Sequence, residues 1–83
     1  MMIQVLGPGC PKCKKMEEIA RQAASELTDV YLVEKVTDTR KITRFGVVTT
    51  PALLVDGYVK VTGRVPSLEE MKKILSSSLQ RGN

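Results

Sequence analysis

The 83-residue chain has no tryptophan and no histidine, one phenylalanine, two tyrosines and two cysteines. Each shortage removes a class of function. Proteins that grip nucleic acids stack bases on aromatic rings beside a basic track, and a net charge of +4 with so few rings supplies neither platform nor long basic run. The longest apolar runs, "VYLV" and "ALLV", are four residues long, against about 20 for a membrane-spanning helix. The apolar start is short, lacks a basic leader and runs straight into a motif, so no signal peptide is expected and the cytoplasm is the default compartment. Without histidine, a tetrahedral zinc site would need carboxylates or a second chain. Two cysteines are too few for a secreted disulfide scaffold, and a close pair in a reducing compartment points to redox or metal chemistry.

What is present is organised around "GPGCPKC", residues 7–13, between the apolar "MMIQVL" and the helical "KKMEEIARQAASEL". Met2–Leu6 reads as a buried strand, apolar except for Gln4, which is expected to be a satisfied core amide. From Pro11 to about Leu27 the pattern is helical, with Met16, Ile19, Ala20, Ala23, Ala24 and Leu27 at spacings of three and four. Residues 30–36 are β-branched and strand-like. Asp38 can cap a short helix through Arg44, with Ile42 and Phe45 inward and Gly46 as a left-handed terminator. The segment "ALLVDGYVKV" is a hairpin turning at Asp56-Gly57. Ser67 and Glu70 form a capping box for a last helix carrying Leu68, Met71, Ile74, Leu75 and Leu79. The order is βαβαββα: a right-handed crossover sets the first two strands parallel, the hairpin adds antiparallel strands to the same sheet, and the tail from about residue 80 frays.

A phosphate loop would need a third glycine or a Gly-Lys-Ser/Thr ending, which this motif lacks. The device is nevertheless the same, because a strand entering a helix aims free N–H groups and the positive dipole end at whatever sits there. That residue is Cys10, with Pro11 suited to the first helical position. The anion is then the protein's own thiolate. A helix N-terminus with neighbouring lysines lowers a thiol from about 8.5 to roughly 3.5–7.5, and Lys12, Lys14 and Lys15 all fall here. Gly7 and Gly9 carry no side chain to shield the sulfur. Cys10 is the expected nucleophile on a substrate disulfide, and Cys13, one turn on, the resolving thiol. Pro11 and Lys12 are expected to tune the thiolate. The basic surface as a whole favours acidic protein partners.

Two other readings use the same cysteines. As a staple, so short a closure is among the least stabilising. As a soft-metal module, the pair could hold copper(I). Small copper carriers of this kind run βαββαβ and end on a strand, whereas this chain ends on a helix.

Taken together, "CPKC" after a first strand, "TTP" before a hairpin, "DG" at its turn, Gly63 after the last strand and a closing helix resemble the thioredoxin/glutaredoxin superfamily. The closest likeness is to its small archaeal and bacterial redox-active disulfide proteins. The resemblance implies a minimal thioredoxin fold of class α/β: one domain over residues 1–83, with a four-stranded mixed sheet flanked by three helices. It implies that Pro51 is cis, that its loop faces the cysteines, and that Thr50 offers its backbone to an extended substrate strand. It implies a monomeric dithiol–disulfide oxidoreductase acting on disulfide-containing client proteins, with no dissociable cofactor beyond the redox-active Cys10–Cys13 disulfide and a thioredoxin-reductase-like electron donor. The chain departs from full thioredoxins at Gly9 and Gln4, where Trp and a buried Asp are usual, and from glutaredoxins at Lys12 and at Gly63 followed by Arg64, where Tyr and a glycine pair are usual.

Overall fold

A computed structural model describes residues 1–80, and it builds the chain around β1 (Met2–Leu6), whose alternating side chains serve both faces of the sheet. Helix α1 (Pro11–Leu27) leads to β2 (Leu32–Val36) and a short α2 (Thr39–Arg44). Strands β3 (Ala52–Val55) and β4 (Tyr58–Thr62) form a hairpin, and α3 (Leu68–Gln80) closes the described chain. The sheet order is β2-β1-β3-β4, with β1 and β2 parallel and the other pairings antiparallel. This is the expected mixed sheet with three helices. The backbone of Gln80 still belongs to α3, and the remainder of the expected fraying tail, 81–83, lies outside the described residues.

The pleat divides the core in two. Ile3 and Val5 of β1 join Leu53, Val55 and Val61 beneath α1 and α3, which supply Met16, Ala20, Ala23, Ala24, Met71 and Leu75. On the other face Leu6, Ala52 and Leu54 meet Val36, Val47 and Ile42 of α2. The alanines explain how α1 and α3 lie side by side over the sheet, since small side chains let a helix approach its support closely. At the hairpin, Asp56 and Gly57 take φ of 50° and 87°, as a type I′ turn requires. Gly46 ends α2 at φ 80°, donating its N–H to the Thr43 carbonyl.

Several expectations are corrected. The strand over 30–36 begins only at Leu32, because β1 starts at Met2, opposite Leu32, while the Val30 N–H turns to Thr28 Oγ1 and its carbonyl takes the Met1 amine. Phe45 does not face the core: it is 39% exposed at the end of a six-residue helix, where Ile42 alone fills the inward position. Its ring lines a cleft of about 380 Å³ with Gln4, Glu34, Asp38 and Lys41. Gln4 is satisfied, but not in the core: its Nε2 donates to Glu34 Oε1 (2.8 Å) across the parallel strands at the border of that cleft. Leu79 is 40% exposed and Ser78 takes the inward place. Helical geometry accounts for it, since Ser78 lies about 20° from Met71 around the axis and Leu79 about 80°. The capping box is half formed. The Glu70 N–H bonds Ser67 Oγ at 3.1 Å, but the Glu70 carboxylate turns to the fork of Arg64 instead of back to Ser67, and is held below the usual carboxylate range by that guanidinium.

Candidate active site

Cys10 occupies the N-cap of α1 in an extended conformation (φ −68°, ψ 164°), the geometry in which a side-chain acceptor reaches the free N–H groups of the first turn. Its sulfur accepts the Cys13 N–H at 3.3 Å, and its carbonyl accepts the Lys14 N–H at 3.1 Å. Pro11 stands at the first helical position, where its missing donor leaves nothing unpaired. Gly9, at φ 95°, makes the left-handed step that brings the chain from β1 into this cap.

Both thiols are free, and their surroundings differ. The Cys13 thiol donates to Cys10, and this hydrogen bond is the largest cause lowering the Cys10 pKa below the ordinary thiol value; the Cys13 backbone N–H comes next, burial opposes it, and the backbone of Lys12 and of Cys10 lowers it further. Cys13 is only 6% exposed, and burial, followed by the neighbouring Cys10 sulfur, pushes its pKa up. Two identical side chains are thus driven in opposite directions, an arrangement that assigns one the charge and the other the proton. Alkylation tests this directly. Iodoacetamide is expected to modify Cys10 at lower pH than Cys13, since each sulfur reacts only as pH rises through its own pKa. Cys13→Ala, which deletes the leading donor, is expected to move the Cys10 profile to higher pH, and Cys13→Ser, which keeps a hydroxyl donor, to move it less. An unmoved profile in Cys13→Ala would leave the helix N–H groups as the whole cause.

The glycines have separate tasks. Nothing lies near the open side of Gly9, but a Cβ on Gly7 would stand 2.1 Å from the Cys13 sulfur and 3.2 Å from its Cβ. Gly7 is buried at the end of β1, its N–H bonded to the Val36 carbonyl at 2.9 Å. It therefore makes room for Cys13 and does not uncover Cys10, a role that needs the fold to be seen. The only signal available beforehand was a glycine between a buried strand and a cysteine-capped helix.

The same point of contact gathers the second loop. The Cβ position of Gly7 lies 3.9 Å from Thr50 Cβ, so Thr50 borders the Cys13 pocket. The Thr50–Pro51 peptide bond is cis, Thr50 is exposed and Pro51 fully buried. The Pro51 carbonyl accepts the Gly63 N–H at 2.8 Å, which ties the end of β4 to this loop. Lys12 is exposed on the rim. Among the described residues no three His, Cys, Asp or Glu side chains cluster as a metal would need for a third ligand, and no helix is long and apolar enough to cross a membrane.

Comparison with known proteins agrees with this arrangement. The family described as the thioredoxin domain matches residues 1–76. A thioredoxin of Methanothermobacter thermautotrophicus is 45% identical over 76 residues, covering 92% of this chain and 99% of its own. A thioredoxin of Methanocaldococcus jannaschii is 36% identical over 80 residues, covering 96% and 92% respectively. A probable thioredoxin of Methanothermobacter marburgensis is 30% identical over 76 residues, covering 88% of each chain. A match of this extent, on a sheet and helices arranged in this order, means that the chain belongs to the thioredoxin family and is a thiol–disulfide oxidoreductase.

Proposed function

We propose that the protein reduces disulfides of client proteins through a mixed disulfide on Cys10. The observation that carries this reading is the Cys10 sulfur held as the cap of α1, with its pKa lowered, while Cys13 is buried behind it with its pKa raised. In the first step the Cys10 thiolate attacks one sulfur of the client disulfide; the S–S bond breaks, and the departing sulfur leaves with the electron pair and takes a proton from water. In the second step Cys13 loses its proton and its thiolate attacks Cys10. The mixed disulfide breaks, the Cys10–Cys13 bond forms, and the client's second thiol is released.

The order of the steps follows from the same geometry. Part of what holds the proton on Cys13 is the Cys10 sulfur, through its hydrogen bond and its charge. Once Cys10 is bonded to the client, that charge is gone and Cys13 ionises more readily. Resolution is thereby delayed until there is something to resolve. Thr50, exposed before the buried Pro51, offers its backbone to an extended client segment beside the sulfurs. The electrons reside in the two cysteines, so no dissociable cofactor enters the cycle, and a reductase of the thioredoxin-reductase kind returns them. In this reading the chain works as a single domain and a monomer, in the cytoplasm.

Cys13→Ser tests the scheme. With no resolving sulfur, the first step proceeds and the second does not, so the variant is expected to accumulate covalent adducts with cell-extract proteins that dithiothreitol dissolves, and to lose catalytic turnover of a disulfide substrate. Adducts in Cys10→Ser at the same yield would reverse the assigned roles. Absence of adducts, with stoichiometric tight copper(I) binding by the wild type, would replace the scheme with metal carriage.

A further inference from the structure

We infer that the disulfides this site selects are flanked by acidic residues, received by a collar of lysines at the head of α1. The inference rests on the reading of Cys10 as the attacking sulfur and adds the class of substrate. Lys12, Lys14 and Lys15 are all exposed and stand within the first turn and a half of the helix that Cys10 caps. Lys14 lies one turn along from Cys10, its N–H on the Cys10 carbonyl, a spacing that puts side chains on one face about 5–6 Å apart at Cβ. No acidic residue occupies the first turn.

Nor do the neighbouring elements neutralise this group. Among the described residues, none of the three ammonium groups lies within ion-pair distance of a carboxylate: Glu17 is taken by Arg21 and Lys35, Glu26 by Lys72 and Glu70 by Arg64. Glu18, one turn beyond Lys14, is exposed and unpaired among those bridges, and it leaves the face with a surplus of positive charge. The loop that brings Thr50 to the Cys13 pocket, residues 46–51, contains no Asp or Glu, and neither does the segment 63–66 that is bonded to it through Gly63 and Pro51. Arg64, in that segment, is excluded from the collar because Glu70 already holds its fork.

A cationic rim around a nucleophilic sulfur raises the encounter rate of an anionic partner and lowers that of a cationic one. Bases of a nucleic acid would find no aromatic platform there, whereas an acidic polypeptide needs none.

The test uses three cystine-linked peptides that differ only in the residues beside cysteine: Glu-Cys-Glu, Gln-Cys-Gln and Lys-Cys-Lys, each blocked at both ends. The rate constant of the reduced protein with each is divided by that of dithiothreitol with the same peptide, which cancels the intrinsic reactivity of the disulfide. The acidic peptide is expected to react at least about 10-fold faster than the neutral one at low salt, and the cationic one slowest. The acidic-to-neutral ratio is expected to fall toward one between about 0.01 M and 1 M salt, as the Debye length shrinks from about 30 Å to about 3 Å. In a Lys14→Gln/Lys15→Gln variant the ratio should drop at low salt, and in Lys14→Glu/Lys15→Glu it should invert; because it is a ratio at one pH, any change in the Cys10 thiolate fraction cancels. A wild-type ratio of one or less at low salt, or a ratio indifferent to the double substitutions, would overturn the inference while leaving the oxidoreductase reading intact. Failure to reduce any of the three peptides would overturn both.

Discussion

Gly7→Ala is expected to reduce catalytic turnover at least about 10-fold and to destabilise the fold by about 1–3 kcal/mol, the usual cost of overpacking a buried site. The new methyl would stand 2.1 Å from the Cys13 sulfur and 3.2 Å from its Cβ. Gly7 cannot yield easily, because its N–H is held on the Val36 carbonyl at the end of the parallel β1–β2 pair. The sulfur must therefore swing to another rotamer or α1 must lift from the sheet, and either movement takes Cys13 away from Cys10. The first step of exchange survives and the second suffers, so mixed disulfides should persist in Gly7→Ala much as in Cys13→Ser. A double-mutant cycle isolates the contact: in a Cys13→Ala background the sulfur is gone and the added methyl should cost measurably less stability. Equal losses in the two backgrounds, read by urea unfolding, would place the damage elsewhere.

Leu53→Ala is expected to cost about 2–5 kcal/mol, against a total stability of about 5–15 kcal/mol for a small domain. Leu53 is 0% exposed in β3, an inner strand between β1 and β4, and sits under α1 and α3 with Ile3, Val5, Met16 and Met71. Truncation leaves a cavity that neighbours on two helices and three strands cannot close together. The control is Leu32→Ala on the edge strand β2, where a 65% exposed side chain of the same type should change stability by less than about 0.5 kcal/mol. Urea midpoints that moved equally in the two variants would contradict the division between core and edge. Because Pro51 directly precedes β3 and is bonded to Gly63 beyond β4, Leu53→Ala should also weaken the loop beside the cysteines. Its activity should therefore decline further than the growth of the unfolded fraction alone accounts for.

The active-site halves differ in how openly the chain announces them. Cys10, Pro11 and Cys13 could be placed from spacing alone, since a cap, a first-turn proline and a residue one turn on are relations within seven residues of chain. The placement of Thr50 near them depends on a strand pairing between residues about fifty positions apart, that of β1 with β3. Nothing in the local pattern around "TTP" encodes that distance, and only likeness to a known family anticipated the loop.

Local chemistry determined the elements. The strand-to-helix change at Cys10, the glycine that ends α2, the Asp56-Gly57 turn and the Ser67 cap all act through hydrogen bonds or backbone angles within a few residues, and all were visible in the amino-acid order. Tertiary packing decided what those elements do to one another. It set β1 between β2 and β3, turned Phe45 and Leu79 outward, gave Gln4 to Glu34 and Glu70 to Arg64, and placed the Cys13 sulfur against Gly7. Each of these is a competition for space or for a hydrogen-bond partner among residues far apart in the chain, and such a competition has no outcome until the sheet and helices have met.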